Sequence, residues 1–96
     1  MDKLRTKEND ELFRAILQLK SVDECYDFFE DLCTVTEILA MSQRLGVAKL
    51  LDEKKSYVEI SKETGASAAT ISRVAKCLSY GNDGYRLILG RLEENK

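Results

Sequence analysis

The stretch Tyr57-Val-Glu-Ile-Ser-Lys-Glu-Thr-Gly-Ala-Ser-Ala-Ala-Thr-Ile-Ser-Arg-Val-Ala-Lys-Cys-Leu78 reads as two short helices joined by a tight turn, a helix-turn-helix. Ile60, Ile71 and Val74 are the apolar residues that would lock the two helices together. Gly65 falls in the turn, where a positive φ is sterically free only for glycine. The second helix then exposes Ser67, Ala68, Ala69, Ser72, Arg73 and Lys76, with Thr70 near its start. A helix lying in the major groove needs such a face. Short side chains let the backbone approach base edges, hydroxyls bond base or phosphate, and Arg or Lys reads guanine or neutralises phosphate.

Ser56-Tyr-Val-Glu59 supplies a capping box for the first of these helices, each side chain satisfying one orphan backbone donor. A plain helical hairpin whose outer face touches nothing would share the apolar spacing. The agreement of capping box, spacing and basic second helix favours double-stranded DNA as the partner.

Outward from this stretch, the 96-residue chain contains no proline, and no segment alternates with a period of two long enough to predict a strand. The fold class is therefore all-α. Leu12, Phe13, Ile16, Leu17 and Leu19 predict an early helix, after a mostly charged segment 1–10 that reads as frayed. Ser21-Val-Asp-Glu24 is a second capping box, and the helix it opens carries Val22, Cys25, Tyr26, Phe28, Phe29 and Leu32, wide enough for burial on more than one side. Thr34-Val-Thr-Glu37 is a third, with Cys33 and Ile38 spaced as a hydrophobic staple, opening a helix to about Asp52. Gly46 inside that helix reads as a close-crossing point. Gly81-Asn-Asp-Gly84 is a dense turn signal before a last helix near Tyr85 to Glu94.

So many apolar residues on short helices exceed what a small monomer hides, and the simplest partner is a second copy. A two-fold dimer would set two recognition helices about 34 Å apart along DNA and double the phosphate contacts. The formal net charge of −2 divides unevenly: residues 1–33 hold five basic and nine acidic side chains, residues 34–96 ten basic and eight acidic. The acidic half would turn the basic end toward phosphate.

Other function classes find little support. Cys25, Cys33 and Cys77 are too widely spaced for a metal clip and histidine is absent, so no metal or cofactor is expected, and the cysteines read as small buried apolar groups. Adjacent carboxylates such as Asp23/Glu24 and Glu30/Asp31 splay apart on a helix and do not form an acid–base pair. No nucleophile motif or phosphate loop appears, so an enzyme is not expected. No apolar run approaches a membrane span and the N-terminus lacks a signal-peptide core, which predicts a cytoplasmic protein without a membrane partner.

Two segments, Gln43-Arg-Leu-Gly-Val-Ala-Lys-Leu-Leu51 and Ile60 to Tyr85 with its Ala69-Thr-Ile-Ser-Arg73 and Tyr80-Gly-Asn-Asp-Gly-Tyr85 signatures, resemble the YerC/YecD family of Trp-repressor-related proteins. The resemblance covers nearly the whole chain. It implies an intertwined homodimer of six helices per chain in the Trp-repressor-like fold, with residues 1–55 as helical dimerisation core, 56–79 as helix-turn-helix and 85–96 as C-terminal helix. It also implies a DNA-binding role in transcriptional regulation, as a repressor.

The wider family's founding member senses tryptophan, and the resemblance places an effector pocket at Arg44, Arg73, Val74 and Cys77. Arg44 and Arg73 match the two arginines that sandwich the indole ring. Val74 stands where the tryptophan binder has glycine, and Cys77 where it has a serine holding the ligand's amino group. A valine would fill the space of a flat ring and a thiol is a weak hydrogen-bond partner, so tryptophan binding is not expected. Arg73 then reads as a phosphate or base contact. The competing reading keeps the fold but docks a protein on the helix-turn-helix, without operator binding.

Overall fold

The computed structural model describes residues 3–96 and shows six α-helices and no strand among them. They are α1 (Lys7–Ile16), α2 (Val22–Leu32), α3 (Val35–Asp52), α4 (Tyr57–Thr64), α5 (Ala68–Tyr80) and α6 (Gly84–Glu94). No described helix is long and apolar enough to cross a membrane. The chain divides into two compact units, Met1–Val35 and Thr36–Lys96.

The first unit holds α1 and α2, and its helices begin at well-defined caps. Thr6 accepts a hydrogen bond from the Asn9 backbone N–H at 3.1 Å, so α1 starts at Lys7. The expectation of fraying through residue 10 is therefore corrected: a capping hydroxyl removes one orphan donor, worth about 1 kcal/mol. Met1 and Asp2, also part of that segment, lie outside the described residues. Ser21 caps α2 by accepting from Glu24 N–H at 3.1 Å. The reciprocal half of this box is shifted by one residue, since Glu24 Oε1 accepts from the N–H of Lys20 at 2.9 Å.

Neither α1 nor α2 has a buried residue. The expectation of α2 buried on more than one side is not met within the chain. Phe13, Leu17, Val22 and Tyr26 are all more than half exposed, Leu17 by 79%.

The second unit contains the entire buried core of the described residues. Val47 and Ala48 of α3, Ile60 of α4, Ala66 of the connecting turn, and Ile71, Val74 and Leu78 of α5 pack together, with Leu50, Leu51, Tyr85 and Leu89 half-buried against them. The spacing 71, 74, 78 places three side chains on one stripe of α5, so this helix buries one side and leaves the other to solvent. Gly46 is not required for a close crossing: a Cβ there would meet Thr64 Cγ2 at 3.9 Å, an ordinary contact. The cysteines also depart from expectation, Cys25 and Cys33 being half-buried and Cys77 exposed, because Cys77 lies off the α5 stripe that carries Val74 and Leu78.

Helix α3 ends in a Schellman arrangement. Lys54 N–H donates to Leu51 O at 3.0 Å and Lys55 N–H to Leu50 O at 3.1 Å, with Lys54 in the left-handed region at φ 66°.

Candidate nucleic-acid interface

Helices α4 and α5 form the candidate site, and local sequence fixes both. At the start of α4 the Ser56 Oγ accepts from Glu59 N–H at 3.2 Å while Glu59 Oε1 accepts from Ser56 N–H at 3.4 Å, so both halves of the expected box form. At its end Gly65 adopts φ 73° and donates its N–H to Ser61 O. Thr64 tightens this turn: its Oγ1 donates to Ile60 O at 2.7 Å and accepts from Ala66 N–H at 3.1 Å. Ala66 is buried beneath the turn, which ties the connection to the core.

Ser67 is the N-cap of α5 and not a residue of its helical face. Its hydroxyl accepts from Thr70 N–H at 3.2 Å and donates to Thr70 Oγ1 at 3.2 Å. Both of the hydroxyls expected near the helix start are thus engaged with each other, and Thr70 is half-buried. Ala68, Ala69, Ser72, Arg73 and Lys76 are exposed, on the side of α5 away from Ile71, Val74 and Leu78. This surface carries two positive charges, two methyl groups and a hydroxyl. Nothing on it is longer than the two cations.

The residues expected around an effector differ in burial. Val74 is a core residue, 1% exposed, whereas Arg44 is half-buried and Arg73 and Cys77 are exposed. Cys77 lines an open cleft with Leu45, Gly81, Asn82, Gly84, Tyr85 and Ile88, and neither arginine nor Val74 borders it. Among the described residues no group of His, Cys, Asp or Glu could hold a metal ion.

Two polar side chains that were not anticipated reach the α4–α5 pair from outside. The Gln43 amide on α3 donates from Nε2 to Thr64 O at 3.1 Å, and Arg86 on α6 donates from Nε to Leu78 O at 3.1 Å. Gln43 and Thr64 are 21 residues apart, and no local pattern marks such a pair. Two further exposed residues, Tyr57 and Val58, lie at the start of α4, Val58 being 72% exposed.

The fold and this site define a class: a small all-helical protein whose apolar core is gathered around a tightly turned helical pair with a small, basic outer face. The sequence profile described as "Trp repressor protein" matches residues 7–93, and the chain belongs to that family. It is 56% identical over 96 residues to the uncharacterized protein YerC of Bacillus subtilis (strain 168), covering all of this chain and 92% of that one. A solved TrpR-like protein from Eubacterium eligens ATCC 27750 superposes with a TM-score of 0.92 at 57% identity, covering 95% of this chain and 94% of its own. A candidate Trp repressor from Staphylococcus aureus superposes equally well, TM-score 0.92 at 55% identity, over 95% of this chain and 91% of its own.

Proposed function

We propose that this protein is a transcriptional regulator that binds specific DNA sequences as a homodimer through α4 and α5, acting as a repressor. The observation that carries the reading is the division of α5 into a buried stripe of Ile71, Val74 and Leu78 and an exposed face of Ala68, Ala69, Ser72, Arg73 and Lys76. In this reading α5 enters the major groove as the recognition helix, and α4 crosses the backbone. Arg73 and Lys76 supply charge for phosphate or guanine, and the alanines admit a close approach. Membership in the Trp repressor protein family supports the same class of partner.

Dimerisation follows from the apolar surface of the first unit. Phe13, Val22, Tyr26 and Leu32 on helices with no buried residue, and Leu17 at the cap of α1, are each at least half exposed. A second copy covering them would supply the burial that a 96-residue chain lacks. One copy alone, at a net charge of −2, offers DNA few phosphate contacts, and two copies double them.

Tryptophan is not the effector in this reading. The Val74 side chain occupies the core position where a flat ring would need a glycine, and Cys77 offers only a weak partner to an amino group. Calorimetric titration with tryptophan should return no saturable heat at micromolar concentration.

The deciding experiment selects duplexes from a random pool and measures the recovered sequence by fluorescence anisotropy across a salt series. Arg73→Ala and Lys76→Ala should weaken binding with the fold intact, and a purely phosphate-contacting Lys76 should lower the salt slope by about one unit in its variant. Wild-type-like affinity in both would mean that α5 does not enter the groove. A protein docked on the same helical pair would then be the better account.

A further inference from the structure

Every α-helix ends in backbone carbonyls that no intrahelical N–H can reach. In both α4 and α5 one of these is met by a side chain from a helix outside the pair. Gln43, half-buried on α3, donates from Nε2 to the carbonyl of Thr64, the last residue of α4, at 3.1 Å. Arg86, on the first turn of α6, donates from Nε to the carbonyl of Leu78 in the last turn of α5 at 3.1 Å. The same guanidinium places Nη1 3.8 Å from Asp52 Oδ1 at the end of α3. A cation at a helix C-terminus is also favoured by the helix dipole.

These bonds do something the apolar core does not. Burial of Ile60, Ile71, Val74 and Leu78 decides which side of each helix faces inward, but apolar burial is non-directional and sets the fine rotation less sharply than a hydrogen bond does. A hydrogen bond at the end of each helix is directional. Two such bonds, anchored on α3 and α6, set how far α4 and α5 can roll on the core and therefore where Ser72, Arg73 and Lys76 point. We propose that Gln43 and Arg86 are positioning residues for DNA recognition, clamping the C-terminal ends of α4 and α5 from outside the pair. This rests on the DNA-binding reading above. Binding sites lose function when held about half an ångström or 10–20° away from productive geometry, which is the scale that the clamp controls.

The test uses full-length Gln43→Met and Arg86→Met, which keep length and apolar contact and remove the donor, with Arg86→Lys as the conservative comparison. Affinity for a duplex recovered by selection is read by anisotropy across a salt series, and amide hydrogen exchange is read without DNA. Each Met variant should bind about ten-fold more weakly with an unchanged salt slope, and exchange in α4 and α5 should rise while α2 is unaffected. Arg86→Lys should recover part of the loss, since an ammonium can still reach one of the two acceptors. If Arg86→Met loses its helical circular dichroism, Asp52→Asn, which removes the guanidinium's second anchor, takes its place with the same signs expected. A salt slope reduced by about one unit in Arg86→Met would make Arg86 a phosphate contact and overturn the proposal. Wild-type affinity with unaltered exchange in both Met variants would overturn it as well. A wild-type protein that binds no selected DNA would overturn the underlying reading and the positioning role together, an outcome that the wild-type titration alone distinguishes.

Discussion

Residues 36–96 bury seven side chains around α5, among them four at 1% exposure or less from the large apolar class, while the described part of residues 1–35 buries none. The two regions do not differ in apolar supply. Leu12, Phe13, Ile16, Leu17, Val22, Tyr26, Phe28, Phe29 and Leu32 lie more densely from the start of α1 to the end of α2 than the buried core residues do from α3 to α5. They differ in what the chain itself offers to cover them. In the second unit a tight three-residue connection brings α5 against α4, so that Ile60 joins the Ile71, Val74 and Leu78 stripe in one core. In the first unit Leu17 and Val22 remain 79% and 71% exposed. A region that is self-sufficient in burial carries the candidate site, and a region that is not carries the surface we assign to a second copy.

Substitution should separate the two regions most sharply. Ile71→Ala removes three heavy atoms from a side chain at 0% exposure and should cost about 2–5 kcal/mol, since the surrounding helices relax only partly into the space. Leu17→Ser with Tyr26→Ser changes two exposed side chains and should instead act on association. Sedimentation equilibrium at low micromolar concentration should return twice the chain mass for the wild-type protein and a lower mass for this double variant. In the wild type the melting temperature should rise with protein concentration, as dimerisation requires. A wild-type mass of one chain, or a double variant that loses stability at an unchanged dimer mass, would mean that these exposed side chains do not hold the association, and the division fails.

Next in size is the turn inside the self-sufficient unit. Gly65→Ala places a Cβ at φ 73° with the Gln43 amide 4.0 Å away, so space is available and the cost is the left-handed backbone, about 1–2 kcal/mol. Chemical denaturation should show this loss with an unchanged dimer mass. A neutral result would mean that the turn shifts out of the left-handed region, and Thr64 O would then move away from Gln43.

What could be read from the sequence follows the same division between local and distant interactions. The α4 capping box, the Gly65 turn and the 71, 74, 78 stripe are set within a few residues, and each forms as the pattern implies. The Thr6 cap was hidden by the charges around it, because the Lys, Glu and Asp residues of that segment resemble a solvated tail while only one hydroxyl decides where the helix begins. Ser67-Ala-Ala-Thr70 lacks the acidic partner of a capping box, so no two-residue pattern marks Ser67 as a cap, although its hydroxyl alone caps α5. Gln43 to Thr64 and Arg86 to Leu78 had no local signature at all. Whether a polar side chain faces solvent or another helix's end depends on packing that one sequence does not display.

The smallest expected effect concerns Lys54, between α3 and α4. It holds the position of a Schellman motif that glycine usually fills, at φ 66°, with both motif bonds formed at 3.0 and 3.1 Å. An L-residue with a Cβ pays for that conformation through a clash with its own following carbonyl, about 1–2 kcal/mol, which glycine escapes. Glycine also gives the unfolded chain more freedom, which offsets part of the gain. Lys54→Gly should therefore stabilise the protein by about 1 kcal/mol. Lys54→Ala removes the same charge and keeps the Cβ, so it should leave stability within about 0.5 kcal/mol of wild type and exclude an electrostatic origin. Because Lys54 lies in the unit that carries its own core, the gain should raise the melting temperature by the same amount at every protein concentration. A gain that grew or vanished with dilution would place Lys54 in the association surface and erase the contrast between the two regions.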